Sequence, residues 1–517
     1  MTKEKLTFNI KYQHTNYSAV QYNFWIKIAA LLLGPLACTA ILLMPVPSGL
    51  NPEAWKVIAC ATWMILWWLT EIVPIPVTSL LPLVAFPLLG ISGVQEAAAP
   101  YSNPNVFLFM GGFMIAAAME RWQLHLRIAL HIIRLVGSSA DRIILGFMLS
   151  SCLISMWISN TATTVMMLPI ALAMIDLLLE DAKDGTTPKE YLRFFTALML
   201  GVAYAANIGG LATLVGTPPN IIFAGFIRET YHININFASW AMIGVPLALI
   251  LLFLAWILLT KLIFRSHLGE LHGSHDVVVK ELRALGPMRR EEKCVMFVFL
   301  LTAVLWMTSP WLSHWFPIKE FTEPSIAIFS TILMFIIPTD VKKGQFILDW
   351  QTAVKIPWGI LLLFGGGLSL ANALANTGVI VWIGHELASL HGMGIMMVIT
   401  LTITVVMIMT EFMSNMALTT IFLPVATALA ISLGENPLLL AIPVTLASSA
   451  AFMFPMSTPP NAIVFASGHV TIPRMMKAGF FLNVISLVLI MLFIRSIIPY
   501  AFDIKMGTLP EWVTPSH

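Results

Sequence analysis

Between residues 24 and 500 the chain is a succession of apolar stretches, and several are broken in the middle by prolines or by small clusters of hydroxyl and amide side chains. Few folds accept that pattern. A bilayer core about 30 Å thick takes roughly 20 apolar residues per helix. Eleven stretches fit: 24–46, 54–72, 76–92, 104–126, 194–227, 236–262, 293–312, 323–338, 356–383, 437–470 and 474–500. Only 10% of the 517 residues are charged and 58% are hydrophobic, against roughly 25% charged in soluble domains. The fold class expected is an all-α polytopic membrane protein.

Two more segments, 143–179 and 396–432, are too long for one crossing and polar at their midpoints. Each reads as a re-entrant hairpin, one long tilted helix or two crossings. Charge arbitrates, because cytoplasmic loops are richer in Lys and Arg. With Lys3, Lys5 and Lys11 inside, the basic groups at 121–142, 183–193, 261–293, 342–343 and 474–477 also fall inside, provided both long segments return to the side they entered from. The loops 93–103 and 384–395 carry no Lys or Arg. The first hairpin then enters from the cytoplasm and the second from outside. No apolar core with a small-residue cleavage site opens the chain, so no cleaved signal peptide is expected. The sequon Asn16-Tyr17-Ser18 falls on the cytoplasmic side, and the short loops suit a bacterial inner (plasma) membrane.

An internal repeat supports this count. SNTATTVMMLP (159–169) aligns with SNMALTTIFLP (414–424) at an offset of 255, and FLFMGG (107–112) meets LLLFGGG (361–367) at nearly the same spacing. GTPPN (216–220) meets STPPN (457–461) at an offset of 241, the difference being a longer polar loop around DAKDGTTPKE in the first half. The organisation expected is a cytoplasmic segment 1–23, an extra helix 24–53, a first repeat 54–262, a cytoplasmic linker 263–292, a second repeat 293–500 and an external tail 501–517. Each repeat holds five spans plus a hairpin, so the second copy is inverted. Inverted repeats with interrupted helices mark secondary transporters whose sites lie at the midplane.

Pro218-Pro219 and Pro459-Pro460 remove backbone donors within predicted spans and force breaks there. Broken backbone at membrane depth survives only inside protein or around a wet cavity. Freed carbonyls before a break can ligate a cation, and the N–H groups and positive dipole end after it can hold an anion. The hairpin tips add Ser, Asn and Thr oxygens. One tip and one break per repeat make a neutral oxygen cage, with an anion site between the two cages. An isolated hydroxyl such as Thr78 or Thr302 is expected to bond its own backbone or a neighbouring helix. A cluster that recurs at matched positions points to function.

Other candidates are weaker. Glu71, Glu120 and Glu411 lie in or near apolar segments. Glu120 beside Arg121 reads as a boundary ion pair, Glu411 is open between coupling and structure, and His385 and His391 read as solvated. Ser467-Gly468-His469 places a nucleophile next to its own base without activating geometry. There is no HExxH and no GxxxxGK[ST], so no enzyme, catalytic residue or cofactor is expected. A net charge of +2 without basic runs sets nucleic acid aside. Cys38, Cys60, Cys152 and Cys294 show no metal or redox spacing and read as packing residues.

The two Ser-Asn motifs, the two TPPN breaks, TEIVPIPVTSLLP (70–82) and PNVFLFMGGF (104–113) resemble the divalent anion/sodium symporter family, the INDY-type di- and tricarboxylate transporters. The resemblance covers roughly 24–500. It implies a homodimer in which a mobile transport domain moves elevator-fashion against a scaffold, carrying Na⁺ and a C4-dicarboxylate such as succinate, malate or fumarate. By matched position, one Na⁺ site would use Ser155, Ser159, Asn160 and the Gly216 carbonyl; the other would use Thr410, Asn415 and the carbonyls of Met413 and Ser457. The substrate would touch Asn160, Thr161, Thr217 and Pro218 from one repeat and Ser414, Asn415, Met416, Thr458 and Pro459 from the other. Met416 stands where relatives carry Thr, which removes a hydroxyl worth about 1.5–3 kcal/mol against a charged group. No Lys or Arg replaces a cation ligand, so Na⁺-coupled symport leads over sodium-independent exchange, symport of another divalent anion such as sulfate, or an anion channel.

Overall fold

The computed structural model describes residues 24–181, 189–271, 274–315, 322–340, 342, 344–386 and 394–513. The expected N-terminal segment with its sequon, Lys183, Lys343, His391 and the last four residues lie outside them. The protein is an all-α membrane protein. Eight helices among the described residues are long and apolar enough to cross a bilayer, and the β-structure described is a short antiparallel pairing of Pro338–Asp340 with Gln345–Phe346 and an isolated bridge between Ser139 and Glu270.

The two long apolar segments are each a pair of helices meeting at a tight turn: Ala140–Ser155 with Asn160–Asp181, and Ile395–Thr410 with Asn415–Ser432. The two double-proline spans are each broken, into Lys189–Gly210 and Pro218–Tyr231, and into Leu438–Ser448 and Pro459–Ala466. Proline sits in the first turn of each second half, where a missing N–H costs nothing.

Three predicted spans differ from what forms. The stretch 76–92 is two short helices, Ile75–Thr78 and Pro82–Leu89, because Pro82 restarts the chain after a single turn. The stretch 104–126 ends at Arg121, where Gln123 turns left-handed at φ 55° and starts a separate helix, Leu124–Val136. That helix buries Leu124, His125, Ala129, Leu130 and Ile133 on one face. The stretch 356–383 ends at Asn376, and Gly378, at φ 80°, leads into Val379–Glu386.

The halves interlock through the breaks. Pro218–Tyr231 packs on the second hairpin's Asn415–Ser432 and on Leu438–Ser448, while Pro459–Ala466 packs on the first hairpin's Asn160–Asp181 and on Lys189–Gly210. Each half-helix beyond a break therefore belongs to the other repeat's hairpin. Every residue from Phe194 to Gly210 and from Leu438 to Ser448 is buried, so the opened backbone ends are enclosed in protein, as a low-dielectric surrounding demands.

Candidate functional site

Asn160, Pro218, Asn415 and Pro459 are each the first residue of a helix, and all four line one cavity of about 710 Å³. Thr161, Thr217, Ser414, Met416 and Thr458 line it as well. So do Ser159, Gly216, Met413 and Ser457 from the expected cation sets. Ser155 and Thr410 are fully buried behind the tips. A helix N-terminus carries roughly +0.5 of an elementary charge. Four of them give the cleft roughly the complement of a dianion without any Lys, Arg or His in its lining.

Behind each tip the same bond recurs. Ser155 Oγ donates to Asn160 Oδ1 at 2.7 Å, and Thr410 Oγ1 donates to Asn415 Oδ1 at 2.8 Å. The hydroxyl thereby fixes the asparagine while its own lone pairs stay available. Among the described residues the carbonyls of Gly216, Met413 and Ser457 accept no hydrogen bond. Free carbonyls beside oriented hydroxyl and amide oxygens are what a hard, singly charged cation needs, and among the described residues no cluster of His, Cys, Asp or Glu offers a transition-metal site. Gly210 leaves room for this arrangement, since a Cβ there would stand 2.6 Å from Asn160 Oδ1.

The asparagines of the two TPPN motifs hold the breaks open. Asn220 Nδ2 donates to the carbonyls of Gly210 at 3.0 Å and Thr213 at 2.8 Å. Asn461 Nδ2 donates to the Ala451 carbonyl at 3.3 Å, the Phe454 carbonyl at 3.1 Å and Ser457 Oγ at 3.0 Å. A buried amide thus satisfies carbonyls that the break left bare. Asn207 was not singled out in the sequence, yet it joins the two halves: its Oδ1 accepts from Asn160 Nδ2 at 3.5 Å, and its Nδ2 donates to Thr458 Oγ1 at 3.0 Å and Asn461 Oδ1 at 3.4 Å. Its one signal was an amide alone in the apolar run GVAYAANIGG.

The tips are tied down differently. Glu411 lies outside the cleft lining; its carboxylate accepts from the backbone N–H groups of Phe452, Met453 and Phe454 and from Asn483 Nδ2. It is a staple between the second tip and the second break. At the matched place in the first repeat, Thr213 Oγ1 donates to the Met156 carbonyl. There the tip is also packed by Trp157, stacked on Phe237 and Trp306 with Phe299 edge-on. Its counterpart Phe412 is 63% exposed and faces the cleft.

Some expectations change. The amides after the breaks are not anion donors: Pro218, Pro219, Pro459 and Pro460 have no N–H, and the Asn220 N–H bonds the Thr217 carbonyl at 3.2 Å. Free donors sit at the hairpin tips instead, where the backbone N–H groups of Thr161 and Met416 have no acceptor among the described residues. Met416 therefore loses a side-chain hydroxyl but keeps a main-chain donor. Arg121 pairs with Asp349 at 2.7 Å rather than with Glu120, because adjacent helical residues do not face each other. Thr302 bonds its own helix at the Val298 carbonyl and also Ser330 Oγ. Thr78 Oγ1 is buried without a partner among the described residues, since the Pro74 carbonyl four residues back already takes the N–H groups of Val77 and Thr78. Ser467 Oγ donates to the Val464 carbonyl, and so is committed to its own helix.

Residues 24–499 match the model of the sodium:sulfate symporter transmembrane region. The chain is 40% identical over 96% of its length to the sodium-dependent dicarboxylate transporter SdcS of Staphylococcus saprophyticus, covering 95% of that protein. Against SdcS of Staphylococcus aureus it is 39% identical, with 93% of each chain covered. Two solved structures share the fold at low identity. MtrF of Neisseria gonorrhoeae, described as illuminating a class of antimetabolite efflux pumps, has a TM-score of 0.54 at 12% identity, over 91% of this chain and 95% of that one. The YdaH transporter of Alcanivorax borkumensis has a TM-score of 0.51 at 13% identity, over 93% and 98%. With a matching family model over nearly its whole length and close relatives across it, the chain belongs to the sodium:sulfate symporter family, the divalent anion/sodium symporters.

Proposed function

We propose that the protein is a secondary transporter that carries a C4-dicarboxylate across a bacterial plasma membrane together with Na⁺. The observation that carries this reading is the doubled hydroxyl–asparagine pair, Ser155–Asn160 and Thr410–Asn415, each beside unbonded carbonyls and both opening on one cleft. Two cations at these cages and two carboxylates on the tip amides of Thr161 and Met416 bring the load close to neutrality. A cleft of about 710 Å³ is in the range of small organic ligands, and relatives at about 40% identity are named as sodium-dependent dicarboxylate transporters.

The Na⁺ ligands proposed are Ser155, Ser159, Asn160 and the Gly216 carbonyl at one site, and Thr410, Asn415 and the Met413 and Ser457 carbonyls at the other. The substrate lies between Asn160, Thr161, Thr217 and Pro218 and Ser414, Asn415, Met416, Thr458 and Pro459. Asn207, held by both halves, positions the Asn160 amide. The interlocked hairpins and broken spans form the moving body of an elevator, working as a homodimer with the N-terminus cytoplasmic and the C-terminus external.

The reconstituted protein is expected to show saturable uptake of labelled succinate driven by an inward Na⁺ gradient. Uptake that ignores Na⁺ but requires internal dicarboxylate would show an exchanger, and non-saturable flux would show a channel.

A further inference from the structure

Of the described residues lining the cleft, Glu71 alone is ionisable. It is exposed, and among the described residues it has no hydrogen bond and no ion pair. Three other carboxylates of the transmembrane body are answered: Glu411 by three backbone amides and Asn483, Glu229 by Asn103 and Asn372, Glu292 by Arg127. Glu71 also caps the helix Pro52–Thr70 in the left-handed region, at φ 47°. Glycine or asparagine adopts that conformation more readily than glutamate. A residue that is awkward for its backbone, unpaired among the described residues and in the wall of an anion site calls for a role of its own.

We propose that Glu71 is a charge filter in the cleft wall, setting affinity by the net charge of the anion and so favouring dianions over trianions. The remaining lining supplies helix N-termini, tip N–H groups and hydroxyls, which bind carboxylates wherever they lie. A fixed carboxylate instead opposes each ligand charge in turn, and the opposition grows linearly with that charge. For charges about 10 Å apart in a wet cleft it amounts to roughly a twofold weakening per unit of ligand charge. The effect is largest at low salt.

This inference rests on the dicarboxylate reading. Full-length protein in proteoliposomes at pH 8 is assayed for Na⁺-driven uptake of labelled succinate, with unlabelled succinate (2−) and tricarballylate (3−) as competitors. Choline chloride varies the ionic strength. In Glu71→Gln, tricarballylate is expected to gain about twofold more than succinate, and the advantage should shrink as choline chloride rises. Glu71→Asp, which keeps the charge, should preserve the wild-type preference. An equal change for both competitors, or one indifferent to ionic strength, overturns the filter and leaves Glu71 a structural cap. Wild-type protein that takes up no succinate would instead refute the proposed function.

Discussion

Ser155→Ala and Thr410→Val each delete a hydroxyl that does two jobs in this account: it orients an asparagine and offers its oxygen to a cation. Among the described residues the Ser155 hydroxyl bonds only Asn160 Oδ1, whereas the Thr410 hydroxyl shares its one proton between Asn415 Oδ1 and the Ser448 carbonyl. Losing an interaction with a charged partner costs about 1.5–3 kcal/mol, which is roughly a 10- to 150-fold rise in the Na⁺ concentration needed for half-maximal uptake. Thr410→Val should sit at the upper end, because it also strands the Ser448 carbonyl, and Thr410→Ser should recover most of the loss. Na⁺ titration of initial succinate uptake in proteoliposomes reads the effect. By linkage, succinate affinity should weaken at low Na⁺ and recover at high Na⁺. An unchanged Na⁺ requirement in both variants, with intact folded protein, would refute the placing of the cages at these tips.

Met416→Thr should shift succinate affinity or substrate preference by about 1 kcal/mol or more, whereas Met166→Thr, which does not line the cleft, should change little; equal effects in competition assays would mean that Met416 does not meet the substrate. Asn461→Ala should lower thermal stability by about 1–3 kcal/mol, since it uncovers two break carbonyls and removes a partner of Asn207. Scanning fluorimetry would detect it, and an unchanged melting temperature would argue against Asn461 holding the second break open. Arg121→Ala should cost under about 1 kcal/mol, because its partner Asp349 is 47% exposed; a larger loss of stability or uptake would show that the pair bears on function.

The sequence shows most clearly what two copies of a motif make visible. The Ser-Asn tips and the TPPN breaks recur at fixed offsets, and a double proline among apolar residues leaves the backbone one outcome. Asn207 was hidden because its role depends on partners about 250 positions away, at Thr458 and Asn461. Glu411 was ambiguous for the same kind of reason: whether a membrane carboxylate couples or staples depends on which backbone amides come to it. The start of the helix Leu124–Val136 reads as the end of the span 104–126 because its apolar residues continue the hydropathy of the helix before it, and the left-handed Gln123 that separates them has no mark in composition.

Two sodium cages and one anion site that share a single cleft should be occupied together. Equilibrium binding of succinate to the purified protein, measured by calorimetry across a Na⁺ series at constant ionic strength, tests it most directly. No measurable binding is expected in choline, and the affinity should rise with Na⁺ at a log–log slope approaching about two, one for each cage. Succinate affinity that stays the same in choline and in Na⁺ would contradict it.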